Sequence, residues 1–242
     1  MSTAIFIRTY ARDFPWLRYC LRSIARYASG FSGLHIAVAS CDWEQFQREF
    51  GEMFTGQCSI PFPVESRACT CYIDDYIGQQ ITKMQAWQYT DAERILYVDS
   101  DTIFTRQVTP ADFMENGKPV LVVTPFDALE GDVLKWVSVI EKALHCKPIY
   151  ETMRRLPIIH DRMTVERCYE YIGGAEYISG QPFREFSEFN VIGSYVLQFV
   201  PQYYVIKDTT KDQISETPAR QYWSRQPWTE ELRTELEAIV NG

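Results

Sequence analysis

Long apolar runs are missing from this sequence. No window approaches 18 consecutive apolar residues, so no segment reads as a membrane span. A basic start followed by an apolar run is also missing, and no signal peptide is expected. Positive charge is in deficit: 24 Lys and Arg stand against 32 Asp and Glu, a formal net charge of −8. That argues against a nonspecific nucleic-acid binder, whose affinity comes from neutralising phosphates. A single cleft can still oppose the global sign. The opening stretch is basic, with Arg8, Arg12, Arg18, Arg22 and Arg26 against Asp13 alone. Paired cysteine spacing is lacking too. Seven cysteines are scattered along the chain, and Cys69-Thr70-Cys71 is too tight for a zinc clip. Reduced thiols in a cytoplasmic protein are therefore expected, rather than a disulfide framework. There is no internal repeat, linker or low-complexity segment.

What remains is an ordinary globular balance, 46% apolar and 23% charged. A length of 242 residues suits one α/β domain, with a donor half over about 1–125 and an acceptor half over 126–242. Aromatics reach 14%; such rings stack on sugars or bases, and they also fill cores.

Ala4-Ile5-Phe6-Ile7 predicts a buried strand, followed by a polar loop from Arg8 to Asp13. Pro15 suits a helix's first turn, Leu17, Cys20, Leu21, Ile24 and Ala28 recur at helical spacing, and Gly30 is a plausible stop. Leu34 to Ala39 reads as the next strand, and this β-loop-α-β opening points to a parallel, Rossmann-like sheet. Residues 42–50 read as a short helix and 51–73 as irregular. An amphipathic helix is expected from Tyr76 to about Tyr89, a strand from Arg94 to Val98, and another from Pro119 to Thr124. Further helices are expected over 131–144, from Ser187 to about Phe199, and from Thr229 to Val240, with a strand over Tyr203 to Ile206.

The sharpest chemical feature is Asp99-Ser100-Asp101, directly after Ile95-Leu96-Tyr97-Val98. In an open α/β sheet, ligands sit beyond the carboxyl ends of the strands. Two carboxylates one residue apart favour a divalent cation, Mg²⁺ or Mn²⁺, completed by phosphate oxygens and water. Such an ion offsets charge developing on a nucleotide leaving group. A surface Asp-x-Asp turn is the plain alternative.

Gly78-Gln79-Gln80-Ile81-Thr82-Lys83-Met84, followed after about ten residues by the Asp-x-Asp strand, resembles the donor-site half of GT-A glycosyltransferases. It is particularly similar to a little-characterised bacterial and phage family with a Gln-Gln-x-x-Lys helix before that strand. The resemblance resumes at Ser187-Glu188-Phe189-Asn190-Val191-Ile192-Gly193 and covers roughly two thirds of the chain. It implies a GT-A fold, a nucleotide-sugar donor (a UDP-sugar above others), and a hydroxyl acceptor. The acceptor is a glycan or lipid-linked saccharide, or a hydroxymethylated base in phage-type DNA.

It also implies roles. Asp101 would ligate the metal, and Asp99 would bind the ribose or a metal-bound water. Thr9 and Tyr10 would line the nucleoside pocket. Arg8, Arg12 and Lys83 would stand near the diphosphate, each with a salt bridge as the alternative. Gln80 would bond base or sugar, or face solvent. Glu188, in a helix's first turn after Ser187, is the candidate general base of an inverting transfer, with Glu185 its nearest competitor; there a Glu also stabilises the helix dipole. Such enzymes often use a late histidine as a further metal ligand. This chain has only His35, His145 and His160. His160 would contact donor phosphate or acceptor, or be an ordinary hydrogen-bonded histidine. Arg18, Arg22 and Arg26 would form a basic helix stripe, solvated or facing an anionic acceptor such as DNA. Tyr222, Trp223 and Trp228 would contact acceptor or pack in the core. A nucleotidyltransferase is the second reading, disfavoured because the loop after the first strand lacks glycine. A noncatalytic nucleotide-sugar-binding module is the third.

Overall fold

A computed structural model describes residues 1–51, 60–153, 156–182 and 184–241. The central sheet is mostly parallel. Its strands are β1 (Thr3–Thr9), β2 (Gly33–Ala39), β3 (Val64–Cys69), β4 (Arg94–Tyr97) and β9 (Ile158–Asp161), in the order β3-β2-β1-β4-β9. Only β9 runs antiparallel, against β4. The chain leaves β1 toward β2 on one side and returns to β4 on the other, so β1 and β4 flank a topological switch point.

The β1 sequence shows why helices cover both faces. Ile5 and Ile7 join a cluster with α1 (Phe14–Tyr27), α2 (Trp43–Phe50) and α8 (Glu230–Asn241). Phe6, between them, points the other way. It joins α3 (Asp75–Met84), α4 (Lys135–Leu144), α5 (Arg162–Tyr171), α6 (Gly174–Ser179) and α7 (Glu188–Phe199). A strand buried on both faces must be apolar at every position, which is how Ala4-Ile5-Phe6-Ile7 reads. Helix α1 carries Pro15 in its first turn and buries Leu17, Cys20, Leu21 and Ile24, as the spacing predicts.

The strand at 119–124 exists as β7 (Lys118–Pro125), outside the central sheet. It pairs with β6 (Met114–Glu115), β8 (Tyr150–Glu151) and β10 (Val205–Asp208). A two-stranded ribbon joins β5 (Thr102–Phe104) to β11 (Ala219–Gln221). Part of the stretch expected to be irregular, 51–73, is the edge strand β3; residues 52–59 lie outside the described residues.

Cysteine usage departs from expectation. Cys41 and Cys71 form a disulfide with Cα atoms 5.8 Å apart. Ala39 pairs with Cys69 at the ends of parallel β2 and β3, and each bridging cysteine lies two residues further on. Cys20, Cys69, Cys146 and Cys168 are free. No helix among the described residues is long and apolar enough to cross a membrane.

Candidate functional site

The carboxyl ends of β1 and β4 carry Thr9 to Asp13 and Asp99 to Asp101, side by side. Ser100 donates its hydroxyl to the Thr9 hydroxyl at 3.0 Å, which ties the two strand ends together. Thr9 is fully buried in that contact, so it fixes the strand ends and does not line a nucleoside pocket. Tyr10 follows, half-buried, with the Arg8 guanidinium 5.2 Å from its ring centroid. Arg8 is itself buried and paired with Asp75 in the first turn of α3, which is the salt-bridge alternative. Arg12 is exposed at the rim.

Asp101 is held by the segment after β11. Its carbonyl accepts the Tyr222 N–H at 2.8 Å, and its Oδ2 accepts the Ser224 N–H at 3.1 Å. Its Oδ1 is buried without a hydrogen-bond partner. Burial, with Asp99 and Asp13 nearby, pushes its pKa up to about 7. Asp13 is in the same situation: one carboxylate oxygen is orphaned, and burial and Asp99 raise its pKa to about 6. Asp13 was not among the sequence candidates. Its only signal is its place at the end of the β1 loop, where a switch-point crevice must lie.

Asp99 has a different partner. The Lys83 ammonium, from the last turn of α3, lies 2.6 Å from Asp99 and 3.1 Å from Glu188, and 5.0 Å from the Phe189 ring centroid. Burial works against the charged lysine, yet Asp99 and Glu188 outweigh it and push its pKa up. Lys83 is thus bound to the first carboxylate of the Asp-x-Asp pair and consumed by two carboxylates, not left free for phosphate. Glu188 is buried, and burial raises its pKa against the pull of Lys83.

The two motifs of the resemblance meet here. Gln80, one turn before Lys83, accepts the Glu188 N–H on its Oε1 at 2.8 Å. It therefore anchors the start of α7 rather than bonding base or sugar. Ser187 caps α7, taking the Asn190 N–H and side-chain amide. Asn190 Oδ1 in turn accepts the Thr152 N–H at 2.7 Å. Gly193 is required by close approach: a Cβ there would meet the Thr152 hydroxyl at 2.1 Å. Gly78 answers to the same constraint, with the Tyr72 ring 2.7 Å from where its Cβ would be.

Two expectations are corrected. His160 is not open to a donor or an acceptor. It sits in β9 with no exposed surface, between Tyr97 and Tyr204, and burial lowers its pKa to about 3. Nor does Glu188 present a free carboxylate to a hydroxyl; it is 2% exposed and closed off by Lys83.

Residues 7–236 match a family described as a family of unknown function, DUF6492. The chain belongs to DUF6492. The match spans the strand ends, both motifs and the ribbon that holds Asp101, so the whole candidate site lies inside the matched residues. No curated protein matches this DUF6492 member.

A cation fits the carboxylates at the strand ends. Asp101 and Asp13 each hold an orphaned, buried oxygen with a raised pKa, the mark of negative charge lacking a counter-charge. Among the described residues, no group of three or more His, Cys, Asp or Glu side chains is placed to hold a metal by itself. Asp99 and Asp101 are the hard oxygen donors that would hold Mg²⁺ or Mn²⁺ there, completed by phosphate oxygens.

Proposed function

We propose that this chain is a GT-A type glycosyltransferase that takes a sugar from a nucleotide sugar, a UDP-sugar above others, with Mn²⁺ or Mg²⁺ at Asp99 and Asp101. The observation that carries this reading is the uncompensated carboxylate of Asp101 at the β1–β4 switch point. A bound cation would supply charge stabilisation to a departing diphosphate. The protein's own groups do the rest. Tyr222 and Ser224 fix Asp101 through their backbone N–H groups. Lys83 neutralises Asp99 and ties it to Glu188, so the first carboxylate of the pair is preset before any ligand arrives. Glu188 serves here as counter-ion and positioning residue rather than as the base.

Asp101→Ala tests the reading. Isothermal titration should show UDP binding in Mn²⁺ to the parent, at least tenfold weaker binding to the variant, and an unchanged circular dichroism spectrum. UDP that binds both proteins equally, or neither, sinks it.

A further inference from the structure

We infer that Trp223 is the acceptor platform of this site and that the acceptor is a carbohydrate; the inference rests on the transferase reading above. Trp223 is 78% exposed and is the only exposed tryptophan among the described residues. Its aromatic neighbours in sequence do the opposite. Tyr222 and Trp228 pack on Trp16, with ring centroids 5.5 and 4.5 Å away. Core packing therefore accounts for both neighbours and leaves Trp223 unaccounted for.

The backbone on either side of Trp223 is also held in place. The residue before it donates its N–H to the Asp101 carbonyl, and the residue after it donates to Asp101 Oδ2. Trp223 thus stands on a short segment pinned on both sides to one residue, Asp101, through its carbonyl and its carboxylate. A cation at Asp101 would hold the diphosphate, and the sugar being transferred is what a diphosphate carries next. Trp223 therefore borders the sugar side of the site. A pyranose offers one face of C–H groups and a rim of hydroxyls. An exposed indole on a segment bonded to Asp101 matches that pattern, apolar face to ring and polar edge to hydroxyls.

The rival acceptor, a modified base in duplex DNA, needs cations free to meet phosphates. The helix stripe that suggested it is engaged elsewhere. Arg22 bonds Glu237 and Asn241, Arg18 lies 3.6 Å from Glu49, and Arg26 stacks over Tyr27.

The test uses the full chain with Mn²⁺ and UDP, and methyl glycosides of glucose, galactose, mannose and N-acetylglucosamine as probes, read by saturation-transfer NMR. At least one glycoside should bind the parent. Trp223→Ala should weaken it about tenfold, the size of one stacking contact, and Trp223→Phe should recover part of the loss. UDP affinity, measured separately without glycoside, should stay parental in both variants. Equal glycoside binding by parent and Trp223→Ala overturns the inference. So does failure of all four glycosides to bind the parent, or binding of a hydroxymethylated duplex in their place. If UDP itself does not bind the parent in Mn²⁺, the transferase reading fails instead, and that arm reports it before any glycoside is added.

Discussion

The two faces of the central sheet are built from different materials. On the face covered by α1, α2 and α8, the buried residues are almost all apolar: Trp16, Leu17, Leu21, Ile24, Phe46 and Phe50 close on Ile5, Ile36 and Leu96. On the face covered by α3 and α7, the same sheet carries a buried lysine, two carboxylates, a histidine and an amide network. Burying charge stabilises nothing by itself; desolvation consumes most of the Coulombic gain. The first face therefore supplies stability, and the second spends some of it to hold Lys83, Asp99 and Glu188 in one arrangement.

Removing one partner from the second face should produce the largest effect. Lys83→Met leaves Glu188 buried without a counter-charge and should cost about 3–5 kcal/mol in denaturant unfolding. Adding Glu188→Leu should restore most of that, because Asp99 is better exposed and can hydrate. A double variant no more stable than the single one would mean the pair is not the source. The next effect separates the faces by pH. His160 is held neutral by burial, its pKa lowered from 6.5 to about 3. The unfolded chain takes up a proton near 6.5, so this stabilisation is complete above that pH and is lost as pH falls toward 3. Between pH 6.5 and 4 the parent should lose roughly 3 kcal/mol more than His160→Phe. Equal acid sensitivity in thermal melts of both proteins would remove His160 from the account. The smallest effect has the opposite sign. The raised pKa of Asp101 makes its ionisation a cost to the fold, incurred as pH rises from the ordinary carboxylate range through about 7. Asp101→Asn should therefore gain stability at pH 8 without metal, while losing Mn²⁺-dependent UDP binding. A destabilised Asp101→Asn would show that the hydrogen bond from Ser224 to the carboxylate outweighs the cost of its ionisation.

The apolar face was the legible one. Its strands and α1 follow from period and burial, because a residue with no polar group has only one place to go. The Asp-x-Asp pair was legible for the same reason, since four apolar residues place its carboxylates at a strand end. Residues that answer to partners far along the chain could not be read. Gln80 looks like a ligand contact until Glu188, 108 residues later, is seen to donate to it. His160 looks like a ligand until Ile95 is found opposite it in an antiparallel pair. Asp13 gave no signal beyond its place at the end of the β1 loop, because its chemistry comes from burial and from Asp99 across the switch point. The Cys41–Cys71 bridge was legible only with β3 in hand, and the polar, Pro-flanked sequence Val64–Cys69 hides that edge strand.

That bridge changes what a protease can do to the molecule. The bridge closes a covalent ring spanning 30 positions of sequence. A single cut inside the ring opens the backbone without releasing either piece. A nicked chain would run as one species on a gel until a thiol reductant is added, and then as two, one carrying Asp13 and the other carrying Lys83, Asp99 and Asp101.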